Sequence, residues 1–227
     1  MEWKRIRTGG IGYLEPLEGS TGWYWGMDYT NGDLYEAEEL YTDRHRINSN
    51  RLIFVSYPGG ELHEPVRAEA GQYFGRPAFR DSRTLILLAD FPAGEIRILA
   101  WDGTESVPEV HAVVPRSEIT DCYNLLLHTE PLMLTRQGHE NRFDILWPEK
   151  ASFPINGHET FLFRDGEELF FSCWYEDPDY REETVVRHYP DGGIVRTVRG
   201  SLLELPDGQK WLLADAGEED DSGENDR

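Results

Sequence analysis

The sequence predicts an all-β fold assembled from repeated antiparallel sheets, and three observations predict it. Short apolar runs rich in β-branched and aromatic residues recur along the chain, each closed by turn residues. Aromatics make up 12% of the 227 residues, with seven Trp and eleven Tyr, a load that suits pleated strands. An Asp-Ser or Asp-Gly turn leading into an apolar strand returns at a near-constant spacing.

The elements follow in order. The N-terminus, MEWKRIRTGGIGYLEP, starts charged and holds no apolar run of signal-peptide length. Residues 22–41, GWYWGMDYTNGDLYEAEELY, contain Asn31-Gly32, a strong hairpin signal, and are read as a hairpin rather than as a short helix over LYEAEELY. In that pairing Trp25 opposes Glu38, and one face carries Trp23, Trp25, Met27, Tyr29, Leu34 and Leu40. The other carries Tyr24, Asp28, Tyr35, Ala37 and Tyr41. Further strands are expected at RLIFVSY (51–57), RTLILLADF (83–91), IRILAW (96–101), YNLLLH (123–128), ELFFSCWY (168–175), TVVRHY (184–189) and KWLLA (210–214).

The repeat ties these strands together. AFRDSRTLILLADF (78–91), LFRDGEELFFSCWY (162–175) and ELPDGQKWLLAD (204–215) share an apolar residue, one intervening position, Asp, Ser or Gly, and then an apolar strand. Their aspartates are Asp81, Asp165 and Asp207, and a weaker copy puts Asp121 in register. The aligned anchors Trp23, Leu52, Leu85, Leu125, Leu169 and Trp211 lie 29, 33, 40, 44 and 42 residues apart. A period near 40 built from strands and turns describes propeller blades, each a four-stranded sheet buried between its neighbours. The stretch RPAFRDSRTLILLADFPAGEIRILAWDG (76–103) resembles a TolB-type propeller repeat, and Trp101-Asp102 with Gly138-His139 and Gly157-His158 is faintly similar to WD-repeats. The resemblance covers about residues 45–214 and implies a small β-propeller of about five blades, with KWLLA closing the ring against the N-terminal blade. A β-sandwich is the competing architecture. Residues 1–214 are expected to form one domain, followed by an acidic disordered tail over 215–227.

Charge narrows the partners. The net charge is −21, and a surface so negative repels phosphate backbones and anionic headgroups, which argues against nucleic acid and membrane surfaces. No run approaches the roughly 18 apolar residues of a membrane helix. Cys122 and Cys173 sit in apolar runs outside any CxxC pair and are expected as buried free thiols. The chain is therefore read as cytoplasmic.

The remaining chemistry is sparse. Glycoside hydrolysis uses two carboxylates flanking the scissile bond, about 5–9.5 Å apart, and the candidates at strand ends are Asp28, Asp90, Asp102 and Glu159. A ring-plus-carboxylate sugar contact points to Tyr24, Trp25, Tyr35 and Glu38. The seven His residues show no metal-ligand spacing, and the acidic run EDPDYREE (176–183) lacks the EF-hand pattern, so no metal and no cofactor is expected. No nucleophile elbow or phosphate loop is present. The leading expectation is a non-catalytic binding module that presents the mouth of a propeller channel to a protein or a small ligand such as a glycan. The alternatives are a glycosidase-like enzyme with channel carboxylates and an acidic inhibitor, of the immunity type, of a basic partner.

Overall fold

The computed structural model describes residues 3–214 apart from 46, 48, 49, 105, 177–179 and 206–208. The chain is all-β, and it divides into two compact units, residues 1–152 and 153–227. The Asp207-Gly208 turn, the middle of EDPDYREE and the tail 215–227 lie outside the described residues.

The first unit opens with a sheet ordered β1 (Glu15–Pro16), β2 (Trp23–Met27), β3 (Leu52–Ser56) and β4 (Leu62–His63). One correction falls inside it. Residues 22–41 are not a hairpin: β2 is followed by a 3-10 turn, Thr30–Gly32, and by a helix, α1 (Leu34–Thr42). The Asp33 carboxylate caps that helix, accepting from the amides of Tyr35 at 2.9 Å and Glu36 at 3.1 Å. The cap satisfies amides that a hairpin would have paired across the turn, and β2 finds its partner in β3 instead, with Trp25 opposite Phe54. Trp23 and Leu52 therefore belong to adjacent strands of one sheet rather than to successive blades, which explains why their spacing of 29 fell short of the period.

The second sheet contains β5 (Gln72–Phe74), β6 (Ala78–Arg80), β7 (Arg83–Asp90), β8 (Glu95–Trp101) and β9 (Glu109–Pro115). Here β5 and β6 pair with opposite ends of the same strand, β7. Phe74 opposes Leu88 and Ala78 opposes Leu85, so four steps on one side answer three on the other. Gly75, Arg76 and Pro77 take up the extra residue as a bulge, where proline has no amide to lend to the ladder. The Asp81-Ser82 turn joins β6 to β7 with both residues left-handed, at φ 50° and 62°, as the repeat motif requires.

Strand β7 shows what places this sheet. Its odd residues Leu85, Leu87 and Ala89 enter one cluster with Leu34 and Ala37 of α1, Leu127 and Leu134. Its even residues Ile86 and Leu88 enter another with Trp25, Leu52, Phe54 and Trp101. Successive side chains point to opposite faces, so the sheet is buried on both. A two-layer sandwich would leave one face of each sheet in water. The third sheet runs β10 (Leu126–Thr129), β11 (Leu132–Gly138), β12 (Arg142–Trp147) and β13 (Ala151–Pro154). Its first hairpin turns at Glu130-Pro131, so Asp121 is not a repeat turn and stands in the segment leading to β10.

The second unit holds β14 (Glu159–Asp165), β15 (Glu168–Tyr175), β16 (Arg181–His188) and β17 (Ile194–Arg199) as one antiparallel meander around Phe161, Leu169, Phe171 and Val185. Its first turn is Gly166-Glu167, with Gly166 left-handed at φ 56°; Asp165, expected in the turn, is instead the last paired residue of β14, opposite Glu168. The strand that includes KWLLA, β19 (Lys210–Leu213), pairs with β18 (Ser201–Glu204), Leu203 facing Trp211. A local hairpin partner takes the strand expected to close a ring on the N-terminal sheet. Four consecutive sheets of four or more strands, and a fifth of two, are present among the described residues.

Candidate functional site

Three backbone irregularities of the first unit meet at one cavity of about 470 Å³, within the roughly 300–1,000 Å³ typical of small-molecule sites. The 3-10 turn supplies Thr30, Asn31 and Gly32, the start of α1 supplies Asp33 and Glu36, and the β5–β6 bulge supplies Arg76. The segment before β10 adds Tyr123 and Asn124. Gly32 is required where it stands. Its φ is +83°, and a Cβ there would meet the Arg76 backbone nitrogen at 2.9 Å.

The walls hold unusual backbone. Among the described residues seven non-glycine positions have positive φ, and three of them, Thr30 (54°), Asn31 (45°) and Asn124 (45°), line this cavity. Asparagine tolerates the left-handed region, whereas a β-branched threonine is strained in it. The Thr30 hydroxyl is moreover buried without a hydrogen-bond partner. Asn31, Glu36, Arg76 and Asn124 are exposed at the cavity, and among the described residues their side chains form no hydrogen bond or ion pair within the protein.

A buried charge cluster fixes the Tyr123-Asn124 wall. Arg136 on β11 is fully buried. It binds Asp121 through Nε to Oδ1 at 2.9 Å and Nη2 to Oδ2 at 2.9 Å. Its Nη1 reaches Glu140 at 2.7 Å and Asp144 at 3.0 Å. Burial alone would lower the guanidinium's pKa, but the bonds from Glu140 and Asp121 outweigh it and carry it up. Burial pushes the Asp121 carboxyl up in turn, and Arg136 with the Tyr123 amide at 2.9 Å brings it below the usual range. Tyr123 itself stacks on His139, ring centroids 3.4 Å apart, and meets Tyr35 edge-on at 5.3 Å.

The sequence-derived candidates fall as follows. Glu38 is a positioning residue: its carboxylate accepts from Arg116 Nε at 3.0 Å and from the Cys122 amide at 2.9 Å, tying α1 to the segment that carries Tyr123. Tyr35 lies on α1 and meets Tyr123 edge-on, so it does not share a hairpin face with Tyr24 and Asp28 as expected. Trp25 is core, 3% exposed, so its expected pairing with Glu38 does not occur. Tyr24 is partly exposed and packs on Tyr57 at 6.2 Å. Asp28 accepts from the Arg51 amide at 2.7 Å. Asp90 is buried, bound by Gln72 Nε2 at 2.7 Å and the Ala93 amide at 3.0 Å, with Arg97 at 3.2 Å. Asp102 closes a surface loop through the Thr104 and Ser106 hydroxyls, with the Thr104 bonds chiefly responsible for lowering its pKa to about 2. Asp90 and Asp102 flank opposite ends of β8, roughly 20 Å apart at about 3.3 Å per residue. Glu159, in the second unit, is buried against Arg187, both contacts 2.7 Å.

Thr30, Arg76, Tyr123 and Asn124 were not singled out from sequence. Asp33 followed three positions later by Glu36 is a helix-start signal that pointed to this region. The bulge that brings in Arg76 leaves only Gly75 and Pro77 as its trace. Both cysteines are free and buried; burial, then Glu38, pushes the Cys122 thiol up to about 12. A larger cavity of about 890 Å³ is lined, among the described residues, by Tyr41, Arg44, His45, Ile47 and Tyr73. Among the described residues no cluster of three His, Cys, Asp or Glu is placed to hold a metal, and no helix is long and apolar enough to cross a membrane.

No protein-family profile and no curated protein matches this chain. Among solved structures it is similar to an exo-β-1,3-galactanase from Phanerochaete chrysosporium bound to β-1,3-galactotriose, with 8% identity and a TM-score of 0.42. The match covers 86% of this chain and 52% of the other, so the chain spans about half the length of that protein.

Proposed function

We propose that this chain is a non-catalytic binding module whose ligand is a small polar molecule held in the cavity between the start of α1, the Arg76 bulge and the Tyr123-Asn124 segment. The observation that carries it is the concentration of left-handed Thr30, Asn31 and Asn124 around one cavity at which the side chains of Asn31, Glu36, Arg76 and Asn124 have no protein partner among the described residues. Strain persists where the surrounding structure over-determines it, and ligand clamps are among the places where it collects. Arg136 and Glu38 contribute to that over-determination by holding Asp121 and Cys122, the two residues immediately before Tyr123. The non-catalytic side of the reading is supported by the four carboxylates weighed for hydrolysis, each of which spends an oxygen on a structural bond. The net charge of −21 supports leaving nucleic acid and anionic membranes out of the reading, and a cytoplasmic setting is part of the same proposal.

Ligand-observed NMR tests this with neutral sugars, amino acids, inorganic phosphate and nucleotides as probes. At least one class should show saturation transfer that falls fivefold or more in Asn124→Gly. Glycine accepts the φ of 45° there, so the variant removes the amide and keeps the backbone. Transfer from no probe, or transfer that Asn124→Gly leaves unchanged, overturns the proposal.

A further inference from the structure

Resting on that reading of the cavity, we infer that its ligand is an uncharged sugar of one or two rings. The lining mixes two chemistries: the polar side chains of Asn31, Asp33, Glu36, Arg76 and Asn124 stand among the apolar ones of Leu34, Leu125 and Leu126 and the aromatic Tyr123. Asparagine both donates and accepts, the two carboxylates only accept, and the guanidinium only donates. A ligand that meets all of them must both donate and accept at neighbouring atoms, which is the property of vicinal hydroxyls. It must also carry surface apolar enough to lie against Tyr123 and the leucines, as the C–H groups of a pyranose are.

Charge removes the competitors. Two carboxylates against one guanidinium leave the site at −1, in a chain of net −21, so phosphates and carboxylates are repelled rather than captured. A fully apolar ligand would strip water from five polar side chains and return no hydrogen bond to any of them. The volume of about 470 Å³ leaves no room for a long oligosaccharide inside the cavity.

Titration of the intact chain with D-glucose, D-galactose and a neutral disaccharide, beside glycine and inorganic phosphate, decides the matter. A sugar should bind with an affinity that falls tenfold or more in Asn124→Gly and in Glu36→Gln, and that stays constant between about 50 and 500 mM salt, since no charge is neutralised on binding. Glu36 is exposed and makes no side-chain bond among the described residues, so its variant folds as the parent does. Glycine or phosphate binding that depends on Asn124, with no sugar binding, overturns the sugar inference and leaves the binding module standing. Binding of none of the five probes at millimolar concentration overturns this inference. Sugar binding that neither variant alters places the sugar elsewhere and overturns it as well.

Discussion

Arg136 keeps its charge at complete burial because three carboxylates and a carbonyl surround it, and the cavity wall is built on that arrangement. Nothing in the sequence marks this arginine, since arginine ordinarily stays at the surface and its partners lie 15, 4 and 8 residues away. The two cysteines were legible, because a lone Cys inside an apolar run has few places to go but the core. His128 gives the residue-scale prediction. Burial lowers its pKa to about 4, while its Nε2 sits 2.9 Å from the Thr135 hydroxyl. An unfolded chain takes up a proton near pH 6.5 that the folded chain refuses until about 4. Stability from this group is therefore complete above pH 6.5 and is lost as the pH falls toward 4, the loss reaching about 2 kcal/mol at pH 5. Asp102, held near 2, titrates below that window. Urea unfolding at pH 7 and pH 5 should show a loss in the parent that shrinks in His128→Gln. An equal loss in both would remove His128 as its source.

The two turns before β7 and β15 were the most legible elements, because a two-residue hairpin needs positive φ at one or both central positions and few residues supply it. Asp81-Ser82 fill both such positions between β6 and β7, whereas in the second copy Gly166-Glu167 make the turn and Asp165 stays paired in β14. Serine is the poorer choice at φ 62°. Ser82→Gly should relieve the left-handed strain and stabilise the fold by about 0.5–1 kcal/mol, net of the added freedom of the unfolded chain. Scanning calorimetry should record a Tm about 2–3 °C higher; a lower Tm would show that the Ser82 side chain contributes more than its strain costs. The helix α1 was harder to read. Asn31-Gly32 signals a turn in either reading, and the decision between hairpin and helix fell to the Asp33 carboxylate and to the competition between α1 and β3 for a place beside β2.

For the whole molecule, charge and burial pull against each other. Net self-repulsion at −21 opposes the compact state, and salt screens it, the Debye length falling from about 30 Å near 0.01 M to about 8 Å at 0.15 M. The Tm should rise over that range, and a flat or falling Tm would mean that local ion pairs such as Arg51 with Glu64 outweigh the net field. The sequence by itself determined the all-β class, the turn-and-strand repeat and the burial of β7 on both faces, because a strand period of two and the φ demands of a tight turn are local properties. Only the tertiary structure decided which strands share a sheet, since neighbouring strands and neighbouring sheets leave similar spacings along a chain. It alone decided the cavity too, because the 3-10 turn, the Arg76 bulge and the Asn124 segment are distant in sequence and meet through packing that no short stretch encodes.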